Sequence, residues 1–372
     1  MHLLKQTLNY FKPVNSYAGK AALALICFAL LTGLSCGKRT PPLPPIERVQ
    51  QRVIISGTQR GSLVILSWTM PARNAPDGSI LNISRADVYR LAEPAGAPLT
   101  LSEEEFASRS TLIAAIPITD EDFARKQFTF NDSLEFAGQP ARLRYAVRFV
   151  NAAGQKAAFS NFLLIEPSAR VANPPQNLTY TVFQESITLS WNAPQTNVDG
   201  TQPANVLGYN IYRTENGAAP RLLNQTPVTY TRFADTFFEF GRSYSYFLRA
   251  ISLGTEGEPV ESLNSEIINI KPLDIFPPTP PTGITIAAAP NNISIFFAVN
   301  PETDVAGYRI YRTTDANLPR TEWALLTPEL LTTNTFQDTN IVSGTTYFYF
   351  LTAVDNAGNI SEPSETVSET AP

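Results

Sequence analysis

Tyr347-Phe348-Tyr349-Phe350-Leu351-Thr352-Ala353-Val354 alternates from end to end. Tyr347, Tyr349, Leu351 and Ala353 fall on one side of an extended chain, because successive strand side chains point to opposite faces. The period of two predicts a β-strand with one buried face. The same pattern occurs twice earlier, at Leu143, Tyr145, Val147 and Phe149 and at Tyr244, Tyr246, Leu248 and Ala250.

Other signals recur in the same order. Leu66-Ser67-Trp68, Leu189-Ser190-Trp191 and Ile295-Phe296-Phe297 are each followed by a proline, at Pro71, Pro194 and Pro301. Next come Val88-Tyr89-Arg90, Ile211-Tyr212-Arg213 and Ile310-Tyr311-Arg312. Gly208-Tyr209 and Gly307-Tyr308 introduce the last two. Phe-x-Asp then appears at Phe130 and Asp132, Phe233 and Asp235, and Phe336 and Asp338. Short strands separated by Pro, Gly, Asn and Asp turns predict an all-β protein built of sandwiches.

The order of these signals resembles the fibronectin type III domain. The resemblance implies three tandem immunoglobulin-like β-sandwiches. It implies a core Trp on the second strand, matched by Trp68 and Trp191, with Phe297 in the third copy. It also implies a tyrosine corner opening the sixth strand, matched by Tyr244 and Tyr347, with Leu143 in its place in the first copy. Prolines 174–175 and 277–281 separate the copies, since a strand cannot run through them. The expected domains are a divergent first module at 47–168 and two further modules at 173–272 and 278–372.

Copy one is longer than the others between Arg90 and Phe130. Ser102-Glu103-Glu104-Glu105 predicts a capped helix there, with Phe106 as its apolar contact. Asp120, Glu121 and Asp122 follow. The insertion reads either as a solvated surface loop or as a partner loop or cation site.

Upstream of the repeats, Lys5, Lys12 and Lys20 precede an apolar run over 21–32, which is too short to span a bilayer. Leu31-Thr32-Gly33-Leu34-Ser35-Cys36-Gly37 resembles the lipobox of bacterial lipoproteins. The resemblance implies a signal peptide over 1–35, cleavage before Cys36 and lipid on that cysteine. Gly37, in place of Asp, implies the outer membrane. Lys38-Arg39-Thr40-Pro41-Pro42-Leu43-Pro44-Pro45 then predicts a semi-rigid Pro-rich tether over 36–46.

A chain starting at Cys36 has 25 basic and 33 acidic residues, a net charge of −8. That balance disfavours nucleic acid. His2 and Cys27 leave with the leader, and Cys36 would carry lipid. Disulfides, thiol and histidine catalysis and the usual zinc ligands are thereby removed. No cofactor, metal or enzyme activity is expected, although a Ser-Lys or two-carboxylate hydrolase stays formally open.

Binding residues are sought among outward aromatics. Alternation sends Phe348 and Phe350 outward beside Tyr311 in copy three, and Phe247 beside Tyr212 in copy two. Such a cluster marks an interaction surface or stabilises a solvent-facing sheet by cross-strand pairing. Between Asp235 and Tyr244 one apolar residue should plug the core, Phe238 in copy two and Ile341 in copy three. Phe237 and Phe240 are then surplus, as a sticky loop tip or as a contact to the next domain. Trp323 lies off the repeat and is the candidate sugar-stacking residue. The expected partners are the membrane, through Cys36, and an envelope protein; a polysaccharide is the alternative.

Overall fold

The structure is a computed structural model that describes residues 53–372 apart from 78, 80, 125–126 and 137–139. Cys36, the leader and the tether lie outside the described residues. Strands dominate. Copy one holds β1 (Ile55–Arg60), β2 (Leu63–Trp68), β3 (Ile83–Pro94), β4 (Thr111–Pro117), β5 (Phe128–Ser133), β6 (Ala141–Asn151) and β7 (Leu163–Ile165). Copy two holds β8 (Gln176–Val182), β9 (Ile187–Asn192), β10 (Gly208–Glu215), β11 (Arg221–Leu222), β12 (Arg232–Asp235), β13 (Tyr244–Leu253), β14 (Pro259–Glu261) and β15 (Ile268–Ile270). Copy three holds β16 (Thr285–Ala289), β17 (Asn292–Phe296), β18 (Val305–Thr313), β19 (Ala324–Leu325), β20 (Thr335–Asp338), β21 (Thr346–Asp355) and β22 (Val367–Thr370).

The three copies share one topology. A sheet ordered β1-β2-β5 faces one ordered β4-β3-β6-β7. Copy two repeats this as β8-β9-β12 and β11-β10-β13-β15, and copy three as β16-β17-β20 and β19-β18-β21-β22. Each sandwich has its own core, and the alternating residues of β6, β13 and β21 lie in those cores as the period of two requires. Trp191 meets Tyr209 edge-on at 5.2 Å, and Phe297 meets Tyr308 edge-on at 4.6 Å. Phe297 therefore fills the Trp position of copy three. Trp68 instead stacks on Phe128 at 5.1 Å.

Both tyrosine corners form. The Tyr244 hydroxyl accepts from Glu239 N at 2.9 Å, and the Tyr347 hydroxyl accepts from Val342 N at 3.0 Å. Phe238 and Ile341 pack against their cores from the same loops, as expected.

A buried polar knot ties the two sheets together in every copy. Tyr145, Tyr246 and Tyr349 donate to Asp132, Asp235 and Asp338 at 2.7, 2.8 and 2.9 Å. The same carboxylates receive Arg90, Arg213 and Arg312 at 2.8, 2.6 and 2.7 Å. The Asp comes from the three-stranded sheet, and the Arg and Tyr come from the other. Burial, then the carboxylate at the hydroxyl, pushes all three phenols far above their ordinary value. Burial alone would lower the Arg90 and Arg213 guanidinium values. The Asp132 and Asp235 hydrogen bonds and charges outweigh it and raise them.

Serine completes the sixth strand where the seventh leaves the edge. In copy two Ser265 Oγ accepts from Leu248 N at 3.0 Å, and Ser262 Oγ accepts from Ala250 N at 2.9 Å. Ser364 and Ser361 do the same for Leu351 N and Ala353 N, each at 2.9 Å. Ser160 serves Val147 N in copy one at 3.0 Å. Buried backbone donors need such partners.

The expectation of one buried face per sixth strand needs correction. In β6 the outward residues Arg142, Arg144 and Ala146 are also buried. The insertion covers them. Its helix α1 (Glu103–Arg109) is capped by Ser102 Oγ, which accepts from Glu105 N at 3.1 Å. Phe106 is fully buried and meets Phe159 at 5.1 Å and Phe162 at 4.7 Å. A satellite core of Tyr89, Leu91, Phe106, Ala146 and Phe159 results. Beside it, buried Glu93 accepts from Arg144 Nε at 2.9 Å, with Arg142 at 3.7 Å. The carbonyls of Ala97, Pro98 and Leu99 take further Arg142 and Arg144 hydrogens. This part of the insertion is a packed lid, neither a solvated loop nor a free partner loop. The acidic stretch forms a short 3-10 turn, Asp120–Ala124, in which Asp122 Oδ2 accepts from Thr119 N and Oγ1 at 2.8 Å.

Candidate functional site

The aromatics that alternation sends outward lie on the four-stranded sheets, where the third strand pairs with the sixth. Tyr89, Tyr212 and Tyr311 occupy equivalent positions, opposite Ala146, Phe247 and Phe350. A guanidinium covers Tyr89 and Tyr212, while Tyr311 is half-buried beside Phe350.

In copy three Tyr311 stacks on Phe350 at 4.6 Å with a 12° tilt. Trp323 closes over Phe350 at 5.0 Å, and the Arg320 guanidinium lies over the same ring at 5.0 Å. Trp323 Nε1 donates to Leu318 O at 3.0 Å, which anchors the cap. Phe350 keeps only 3% of its surface and Trp323 only 7%. Two expectations are thereby corrected. Phe350 points away from the main core but is not exposed, and Trp323 is a cover, not a free sugar platform. Tyr311 and Phe348 are half-buried.

In copy two Tyr212 and Phe247 stack at 5.0 Å with a 10° tilt. Arg249 lies over both rings, at 4.4 and 5.3 Å, held by Asn264 Oδ1 at 2.8 Å and Glu261 Oε2 at 2.6 Å. Phe247 is buried as a result. In copy one Arg148 covers Tyr89 at 4.7 Å and Phe159 at 4.4 Å. A guanidinium over an aromatic face is attractive, and it withdraws that face from a partner.

The loop after β12 separates its two surplus phenylalanines. Phe240 is half-buried, edge-on to Phe238 at 5.1 Å and 6.0 Å from Phe276 in the linker to copy three. It takes the interdomain role. Phe237 remains 81% exposed. Its backbone is pinned: Phe237 N donates to Asp235 Oδ1 at 3.0 Å, and its carbonyl accepts from Arg213. A rigid backbone thus presents an open phenyl ring. Tyr230, which no repeat singles out, is 79% exposed on the segment leading into the same strand.

Asp274, Asp304 and Asp355 bring carboxylate oxygens within 4.8 Å of one another near the second linker. Asp355 is committed to the turn that follows it, accepting from Ala357 N, Asn359 N and Asn359 Nδ2 at 2.9, 2.8 and 2.9 Å. No signal at the level of single motifs joins these three residues, which are far apart in the chain.

No family model matches the chain. Exoglucanase B of Cellulomonas fimi is 27% identical over 237 residues, covering 61% of this chain and 20% of its own length. Chitinase A1 of Niallia circulans is 30% identical over 191 residues, covering 50% of this chain and 24% of its own. The chain thus spans about a fifth to a quarter of the curated relatives it matches. Among solved structures, the chicken CNTN1 FN1-FN3 domains align at 14% identity and a TM-score of 0.26, covering 86% of this chain and 99% of that one. The described chain is a tandem of fibronectin type III-like sandwiches. The strand order repeated three times and the two tyrosine corners carry that assignment.

Proposed function

We propose that the chain is a non-enzymatic, lipid-anchored scaffold of the cell envelope, held at the outer membrane through Cys36. Its three modules act as a spacer that presents a protein-binding surface away from the lipid. One sequence observation carries the reading: small residues ending in Ser35-Cys36 close a short apolar run, and a basic, proline-rich segment follows. Two or more acyl chains on one cysteine hold a protein firmly, at about 0.8 kcal/mol per buried CH2. The covered outward aromatics support the spacer role, because the modules bury most of these rings internally. Phe237 is the best-presented contact.

The test is metabolic labelling with an alkynyl fatty acid in a bacterial host. The intact chain should take up label and sediment with membranes. Cys36→Ser should lose the label and become soluble. A Cys36→Ser chain that still sedimented would refute the anchor. Crosslinking in cells should then capture an envelope protein, and Phe237→Ala should reduce that capture.

A second reading is polysaccharide contact. Two observations favour it: the names of the curated relatives, an exoglucanase and a chitinase, and the open rings of Phe237 and Tyr230. Retention on cellulose or chitin, lost in Phe237→Ala or Tyr230→Ala, would support it. Passage of the intact chain through both matrices would dispose of it.

A further inference from the structure

Copies one and two are joined by more than a linker. Arg60, the last residue of β1, pairs in parallel register with Glu261 of β14. Gly61 N donates to Glu261 O at 2.7 Å. One ladder therefore runs from the three-stranded sheet of copy one into the four-stranded sheet of copy two. The Glu261 carboxylate is fixed from three sides by Asn210 Nδ2 at 2.7 Å, Arg249 Nη1 at 2.6 Å and the Tyr212 hydroxyl, with Arg60 Nε at 4.0 Å.

The connecting chain is clasped along its length. Gln59 Nε2 donates to Ser168 O, and Ser168 N donates to Gln59 Oε1, both at 2.8 Å. The side-chain amide thus imitates one rung of a ladder. Asn205 Nδ2 then reaches Arg170 O and Leu253 O at 3.1 Å. Val198 N binds Val171 O, and Ala172 N binds Ser252 Oγ, both at 2.8 Å. Val171 and Ala172 are fully buried.

Gly61 makes the close approach possible. Its φ is +53°, a conformation that side chains strain to adopt, and a Cβ there would lie 2.9 Å from Leu263 Cγ and Leu263 N. The second junction is built differently. Among the described residues no strand ladder joins copies two and three. Pro272 O receives Gly241 N at 2.7 Å, and Thr279 is gripped by Asn300 and Glu302 of copy three, each at 2.7 Å. Between them Asn359 Nδ2 reaches Asp274 O and Oδ1 only at 3.3 and 3.5 Å, and Phe240 meets Phe276 at 6.0 Å. Leu273 and Ile275 are exposed.

We infer that copies one and two move as a single rigid lever, locked by the Gly61–Glu261 strand contact and the Gln59–Ser168 clasp, and that the array bends in the stretch around Leu273 and Ile275. Independent motion is the default between modules joined by small interfaces, so rigidity here has to be built in. For a spacer, the consequence is a fixed reach over two modules and a swivelling third.

Electron–electron distance measurements on the full chain test this, in a Cys27→Ser, Cys36→Ser background. One spin-label pair uses Thr111→Cys and Arg221→Cys; the other uses Arg221→Cys and Thr335→Cys. The first pair should give one narrow distance peak and the second a broad distribution. Gly61→Val should at least double the width of the first without moving the second. Gln59→Ala, which touches no core, should broaden the first to a lesser degree. Unfolding midpoints of both variants by urea show that the copies remain folded. A first-pair distribution as wide as the second in the parent chain would overturn the inference. A first-pair width unchanged in both variants would do the same.

Discussion

Tyr246 donates its hydroxyl to Asp235 across 2.8 Å, from one sheet of copy two to the other, while Arg213 closes on the same carboxylate at 2.6 Å. Both sister copies hold the same three groups in the same relation. A carboxylate buried with one cation and one hydroxyl is satisfied, and its removal takes a partner from both the guanidinium and the phenol. Asp235→Ala leaves the Tyr246 hydroxyl without its acceptor and the buried Arg213 guanidinium with only Glu215 and the Phe237 carbonyl, so it should cost up to about 3–5 kcal/mol of copy-two stability. Tyr246→Phe removes one hydrogen bond to a charged group and should cost about 1.5–3 kcal/mol. Urea unfolding followed by Trp191 fluorescence, in a Trp68→Phe, Trp323→Phe background that leaves it the only indole, measures both. A double variant whose loss equals the sum of the singles would argue against a coupled knot.

Alkaline pH should loosen every copy by the same route. The unfolded phenol titrates near 10, and the folded phenols of Tyr145, Tyr246 and Tyr349 are held above that by burial and by the neighbouring carboxylate. Folded protein then binds more protons than unfolded protein. This contribution is fully present below the unfolded value and is lost as pH rises through the folded one. Above about pH 10 each copy should lose about 1.4 kcal/mol per pH unit from its knot. Urea midpoints at a series of pH values give the slope, and Tyr246→Phe should reduce it in copy two alone. An unaltered slope in that variant would place the titrating group elsewhere.

Phe106→Ala should open the lid of copy one. The side chain is fully buried among aromatics, and such truncations cost about 3–5 kcal/mol. Loss of the lid also exposes the Glu93–Arg144 pair to water. Protease cleavage around α1 should accelerate, while copies two and three keep their unfolding midpoints. Equal resistance in the variant and the parent would show that α1 is held by something other than Phe106.

Much of the fold is legible along the chain itself. Alternation at Tyr347 to Ala353 assigns the inner face of β21, and the recurring Trp, Xaa-Tyr-Arg and Phe-x-Asp signals count the copies. Ser102 and Phe106 predict α1 and its contact. These are local properties, carried by backbone period and capping chemistry. The candidate binding residues are less legible. Alternation places Phe350 and Phe247 outside the main core, yet Trp323 and Arg249 cover them. Arg320 and Trp323 lie nearly thirty residues from Phe350, and no period links them. Phe237 and Phe240, close neighbours in the chain, meet opposite fates because Phe276 arrives from the linker to cover only one.

Residue order alone thus establishes the strands, their inner faces and the number of modules, since each follows from short-range steric and hydrophobic rules. The lipidation proposed at Cys36 likewise rests on a linear motif. Packing alone decides which outward rings stay open, how Arg, Asp and Tyr converge in each sandwich and why copy one is joined to copy two. Those outcomes depend on which distant segments meet once the sheets close. A ring is exposed or covered according to its neighbours in space, and the neighbours of Phe350, Asp235 and Gly61 come from elsewhere in the chain.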